Sequence, residues 1–118
     1  MARRGETSGA QAYDESWLKA LGRVLSHPAR VAILFSLERK GTISPTEAAE
    51  AQDLSVGTSA YHMRTLTTLG LVRVKATRPV RGAVEHFYEL TPDGRVAVRA
   101  IESVTALGPR SRRGRRAT

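Results

Sequence analysis

The stretch from Ser55 to Leu90, SVGTSAYHMRTLTTLGLVRVKATRPVRGAVEHFYEL, constrains this chain more than any other. Ser55 is a helix-capping residue type, and Gly70 is a helix stop. Between them Ser59, Met63 and Leu66 share one helical face, and Val56, Gly57, Ala60, Tyr61 and Arg64 lie opposite. Leu71 to Thr77 then alternates apolar and basic residues, and Ala83 to Leu90 answers with Val84, Phe87, Tyr88 and Leu90. Two such runs joined by a moderately long loop predict a β-hairpin, with Pro79, Val80, Arg81 and Gly82 at its tip. No Asp or Glu occurs from Leu54 to Val84, whereas Arg64, Arg73, Lys75, Arg78 and Arg81 all fall inside. A small-faced helix followed by a basic hairpin suits an anionic partner of regular shape, such as duplex DNA.

The rest of the chain bounds that reading. Its 118 residues suit one domain, and 41% hydrophobic content supplies one small core. Only 5% are aromatic, so the core is aliphatic. The formal net charge is +8, but Arg110, Arg112, Arg113, Arg115 and Arg116 contribute much of it, so the charge argument rests on residues 54–84 rather than on the total. There is no Cys, which removes disulfides, thiolate metal sites and Cys nucleophiles. No apolar run approaches the roughly 20 residues of a membrane span, and the N-terminal segment lacks the apolar stretch of a secretory signal. A cytoplasmic protein without membrane partners is expected.

Periodicity and capping give the element order. Asp14, Glu15 and Ser16 precede a helix whose face carries Trp17, Leu18, Leu21, Val24 and Leu25. Pro28 starts a second helix running to about Lys40, with Val31, Ile33, Leu34 and Leu37 inward. Thr42 and Ile43 form a short extended piece. Ser44-Pro45-Thr46-Glu47 is a capping box that opens a short helix, and Gln52 to Leu54 is a turn with Leu54 pointing into the core. The helix from Ser55 follows at helix-turn-helix spacing. After the hairpin, Thr91-Pro92-Asp93 starts a last helix with a stripe of Val96, Ala97, Ala100, Ile101, Val104 and Leu107, ended by Gly108-Pro109. The expected class is mainly α with a small β-hairpin (α+β), a winged helix-turn-helix of order α-α-β-α-α-β-β-α. Residues 1–13 read as a flexible arm, 14–108 as the domain and 109–118 as a disordered basic tail.

At this point a resemblance is plain. LKALGRVLSHPARVAILFSL (18–37), SPTEAAEAQDLSVGTSAYHMRTLTTLGLV (44–72) and RPVRGAVEHFYELT (78–91) resemble the ArsR-type family of bacterial winged-helix repressors. The resemblance implies a homodimer that binds an operator and represses transcription. Ser59 departs from the family's more usual aliphatic residue. The family's thiolate motif is also absent: Thr46-Glu47-Ala48-Ala49-Glu50 stands in its place. His27, His62 and His86 offer no close pair, so neither a metal nor a cofactor is expected.

On this reading the DNA-contacting residues are Thr46, Ser55, Val56, Gly57, Thr58, Ala60, Tyr61, His62, Arg64, Arg78 and Arg81. Small residues let the helix backbone approach the major groove. Val56 and Ala60 suit thymine methyl groups, Tyr61 a base edge or phosphate, and Arg64 guanine or phosphate. Hydroxyls at helix N-termini suit phosphates, although Ser55 caps its helix in any case. Arg78 and Arg81 flank a Pro-Val turn that would lie along the backbone or minor groove. For dimerisation the candidates are Trp17, Leu18, Leu21 and Leu25 with Val96, Ile101, Val104 and Leu107. These stripes either meet across a two-fold axis or complete the monomer core.

No nucleophile elbow, P-loop or dinucleotide glycine pattern is present, so the chain is expected not to be an enzyme. The alternative is a winged-helix protein-interaction module without sequence-specific DNA binding. An effector of unknown identity stays open, because no residue set points to a ligand.

Overall fold

The computed structural model describes residues 14–106. The expected arm at 1–13, Leu107 and the basic tail lie outside the described residues. Five helices and one hairpin follow the expected order: α1 (Glu15–Leu25), α2 (Pro28–Lys40), α3 (Pro45–Gln52), α4 (Val56–Thr68), β1 (Val72–Val80), β2 (Ala83–Leu90) and α5 (Pro92–Ala106). Ile43 forms only an isolated bridge to Tyr88, with backbone bonds of 3.2 and 2.9 Å, rather than a full strand.

Local chemistry accounts for the boundaries. The Asp14 carboxylate accepts from the Ser16 and Trp17 amides at the start of α1. Ser44 and Glu47 form a reciprocal capping box on α3, with Ser44 Oγ accepting from the Glu47 amide and Glu47 Oε1 from the Ser44 amide. α3 ends at Asp53, whose φ of 56° lies in the left-handed region, and this turns the chain sharply into α4.

The core gathers Val24 from α1, Ile33, Leu34 and Leu37 from α2, Met63 and Leu66 from α4, Leu71, Val72, Tyr88 and Leu90 near the hairpin base, and Ala97, Val98 and Ile101 from α5. Trp17 and Leu21 pack against it partly buried. Leu54 is half-buried. Ser59 is fully buried, and its hydroxyl finds no hydrogen-bond partner. Such a group costs about 1–3 kcal/mol.

The hairpin corrects one expectation. No long loop exists. Its strands run to a two-residue turn, Arg81-Gly82, with φ of 49° and 80°. Positive φ at both positions is the mark of a type I′ turn, whose twist matches that of the flanking strands. Arg78 is therefore a strand residue facing Glu85, not part of the tip. A register shift between Val74 and Ala76 leaves Lys75 as an extra residue in β1. Beyond Val72 the whole of β1 is exposed, so the hairpin projects from the core as an arm. Val84 is 57% exposed for the same reason.

α5 is seated by a close approach. Thr91 Oγ1 donates to the Gly70 carbonyl at 2.6 Å and accepts from the Gly94 amide at 3.0 Å. A Cβ on Gly94 would collide with the Leu71 carbonyl oxygen. Gly94→Ala is therefore expected to cost about 1–3 kcal/mol in urea unfolding. Gly22→Ala, on a helix position with nothing within 4 Å, is expected to add about 0.5–1 kcal/mol.

Candidate nucleic-acid interface

α4 presents the face that its sequence pattern sets apart. Met63 and Leu66 are fully buried, which turns Val56, Gly57, Tyr61 and Arg64 outward. Val56 is 50% and Tyr61 52% exposed, high values for side chains of this kind. Ala60 is half-buried beside them. Ser55 caps the helix: its Oγ accepts from the Thr58 amide at 3.0 Å and donates to Thr58 Oγ1 at 2.9 Å. Thr58 and Thr46 are exposed. α4 has no acid in its first turn, so its positive end is left uncompensated.

A cleft of about 770 Å³ runs between this face and the hairpin. Val56, Ala60 and Arg64 form one wall, Val74, Arg78, Val80 and Val84 another, and Pro45 and Thr46 close one end. It is largely apolar, and Glu85 and His86 also border it. Among the described residues, helix, hairpin and α3 N-terminus thus meet at a single concave surface.

His62 does not belong to that surface, which corrects its place among the DNA contacts. It is 7% exposed, and its Nδ1 accepts from Arg30 Nε at 3.0 Å. Arg30, only 2% exposed, also donates through Nη1 to the Arg23 carbonyl at 2.8 Å. This buried guanidinium ties α1, α2 and α4 together, and it lies 5.8 Å from the centroid of the exposed Tyr61 ring. Nothing in the helical periodicity separates Arg30 from a surface arginine, so its burial leaves no signature in the sequence.

The acid-free span also ends one residue too early to describe the hairpin's charge. Glu85, just beyond it, pairs with Arg78 at 2.9 Å, and Glu89 takes Arg73 at 2.8 Å and Lys75 at 3.6 Å. Both acids come from β2, opposite the basic strand. Arg64 and Arg81 are left without an acid partner among the described residues. His86, in the same strand, is exposed, with its ring 6.4 Å from that of Tyr88.

The expected dimer set divides. Leu18 (55%), Leu25 (50%), Val96 (54%) and Val104 (62%) are exposed on α1 and α5. Trp17 and Leu21 are partly buried against the monomer's own core. Ile101 is a correction: at 2% exposure it packs within that core and is not free to meet a partner. Leu107 lies outside the described residues. Among the described residues, no group of three or more His, Cys, Asp or Glu gathers where it could hold a metal ion, and no helix is long and apolar enough to cross a membrane.

Comparisons with known proteins agree with this geometry. The family model described as a helix-turn-helix domain matches residues 25–75, from the end of α1 into β1. No curated protein matches the chain. Solved structures do. The homodimeric winged helix-turn-helix DNA-binding domain of a candidate ArsR-family regulator from Mycobacterium bovis shares 21% identity at a TM-score of 0.60, covering 89% of each chain. The antimony-specific repressor AntR shares 19% at 0.62, covering 91% of this chain and 87% of its own. A candidate MarR-family regulator from Enterococcus faecalis shares 20% at 0.71, covering 98% and 100%. At these identities the likeness establishes the fold, a winged helix-turn-helix.

Burial pushes the His62 imidazole below its ordinary 6.5, and the nearby charges of Arg30 and His27 add to the shift. Arg30 is a permanent donor, so the Nδ1 lone pair must stay free and the folded state holds His62 neutral. The unfolded chain then binds the extra proton first. Stability is complete above about pH 6.5 and falls as pH drops from there toward the lowered folded value. In thermal melts from pH 7.5 to 5, the wild type is expected to lose more stability than His62→Gln, which has no imidazole to titrate.

Proposed function

We propose that this protein is a sequence-specific, double-stranded DNA-binding transcriptional regulator of the ArsR type, acting as a homodimeric repressor in the cytoplasm. One observation carries the reading. The helix occupying the recognition position exposes small, apolar, hydroxyl and cationic side chains and no acid, and it stands beside a projecting hairpin tipped by an unpaired Arg81. In this fold the N-terminal half of the second helix of the motif enters the major groove. Val56, Gly57, Ala60 and Tyr61 lie there, with Arg64 one turn further on. Thr46, Ser55 and Thr58 stand at helix N-termini, where phosphates are favoured. Arg81 then holds the backbone alongside, with Arg78 further back on the arm. Exposed Leu18, Leu25, Val96 and Val104 support self-association through α1 and α5. No metal or cofactor enters this reading, and an effector stays open as a further partner.

One feature favours a second reading, a protein-interaction module. The cleft beside α4 is walled by Val56, Val74, Val80 and Val84, which together expose an apolar surface that a partner peptide would cover. The missing acids on α4 and the free Arg64 and Arg81 favour DNA over that partner.

The two contacts should behave differently in fluorescence anisotropy on matched and scrambled duplexes. Arg81→Ala weakens both duplexes alike and lowers the salt slope by about one unit. Tyr61→Ala weakens the matched duplex by about 1–3 kcal/mol and the scrambled one much less. Equal losses on both duplexes for Tyr61→Ala would remove its base-reading role. A wild type that binds neither duplex at low salt would favour the protein-contact reading.

A further inference from the structure

Glu85 is the one acid among the described residues lining the cleft, which also carries Arg64 and Arg78. Its place is set by the hairpin register. It faces Arg78 directly in the β1–β2 register, with Arg78 Nη2 donating to its Oε1 at 2.9 Å. Hydrogen bonding from the Ser44 hydroxyl, the cap of α3, and then from Arg78 holds its carboxyl below the ordinary carboxylate range. The two partners differ in freedom: the Glu85 side chain is 18% exposed and that of Arg78 64%. The carboxylate is thus the enclosed, anchored member and the guanidinium the exposed one, 5.2 Å from the Phe87 ring centroid. Exposed ion pairs of this kind add little to stability, so fold maintenance does not explain the arrangement.

We propose that Glu85 is a brake on sequence-independent DNA binding, holding Arg78 away from phosphate in the free protein. The inference rests on the DNA-binding reading above and adds to it a residue that the reading does not use. A duplex can gain a phosphate contact from Arg78 only by drawing the guanidinium off Glu85. That leaves an anchored, unpaired carboxylate beside the phosphate strand. Glu89 does the same for Arg73 and Lys75 further from the tip, so among the hairpin's basic residues only Arg81 has no acid partner. Base contacts from α4 are untouched by this device. They therefore supply a larger share of the total binding than the hairpin's basic residues alone would suggest.

The test is a salt titration of a fluorescent mixed-sequence 30-base-pair duplex against wild type, Glu85→Gln, Arg78→Ala and the double variant, each first checked by thermal melting. Glu85→Gln is expected to bind severalfold tighter at low salt, with a slope steeper by about 0.9, the value of one added phosphate contact. In the Arg78→Ala background the same change is expected to do nothing. An unchanged or weaker Glu85→Gln would overturn the proposal. So would an equal gain in the Arg78→Ala background, which would mark a general effect of removing negative charge. Should Glu85→Gln not fold, Glu85→Asp, whose shorter arm withdraws from Arg78, takes its place with the same expected direction. A wild type that binds no duplex at low salt would instead defeat the underlying DNA reading, an outcome separate from a wild type that binds and a Glu85 variant that gains nothing.

Discussion

Burial of Met63 and Leu66 sets the rotation of α4 about its own axis, and the rest of the surface depends on that rotation. Side chains on a helix are fixed in direction once one stripe is committed to the core. With Met63 and Leu66 inside, Val56, Tyr61 and Arg64 must face out. A rotation of one residue's worth would bury Arg64 or expose Met63, and either costs far more than any surface contact returns. The buried Arg30 adds a second lock. Its bonds to the His62 ring and the Arg23 carbonyl hold α4 to the junction of α1 and α2. Two contacts thus hold the outward face of α4 in place, whereas β1 leaves the core beyond Val72.

Charge on the arm follows a different logic from charge on the helix. α4 keeps Arg64 free of acids, while β2 supplies Glu85 and Glu89 to all three basic residues of β1. Cross-strand pairing of opposite charges is the sheet's ordinary way of arranging a basic strand. Its side effect is that formal charge along the sequence overstates the positive field that a phosphate strand would meet. The arm is thus a weaker cationic clamp than its count of basic residues implies, and the free Arg81 at its tip becomes its leading group.

Much of this was legible in the sequence, for identifiable reasons. The helix starts at Asp14, Pro28, Ser44 and Ser55 were readable because capping is a local interaction between neighbours. The α4 face was readable because Met63 and Leu66 mark its inner side. The hairpin's existence was clear from alternation, but its turn was not. Arg81 in a left-handed conformation lacks the Asn or Asp that usually announces a two-residue turn. That miss hid the Arg78–Glu85 register and with it the neutralised arm. The buried roles of Arg30, His62 and Ile101 were also hidden, since each depends on contacts between elements distant in the sequence. Periodicity assigns a residue to a face, but not to the neighbour that face will meet.

The central claim is that the outward face of α4, duplicated about a two-fold axis, reads DNA. It is tested most directly by sequencing the genomic fragments that the purified full-length protein retains at physiological salt. The account predicts one enriched motif with inverted half-sites, their centres about one helical turn (~10 base pairs) apart or a multiple of that. Fragments retained without any shared motif, or a motif with no internal symmetry, would contradict it.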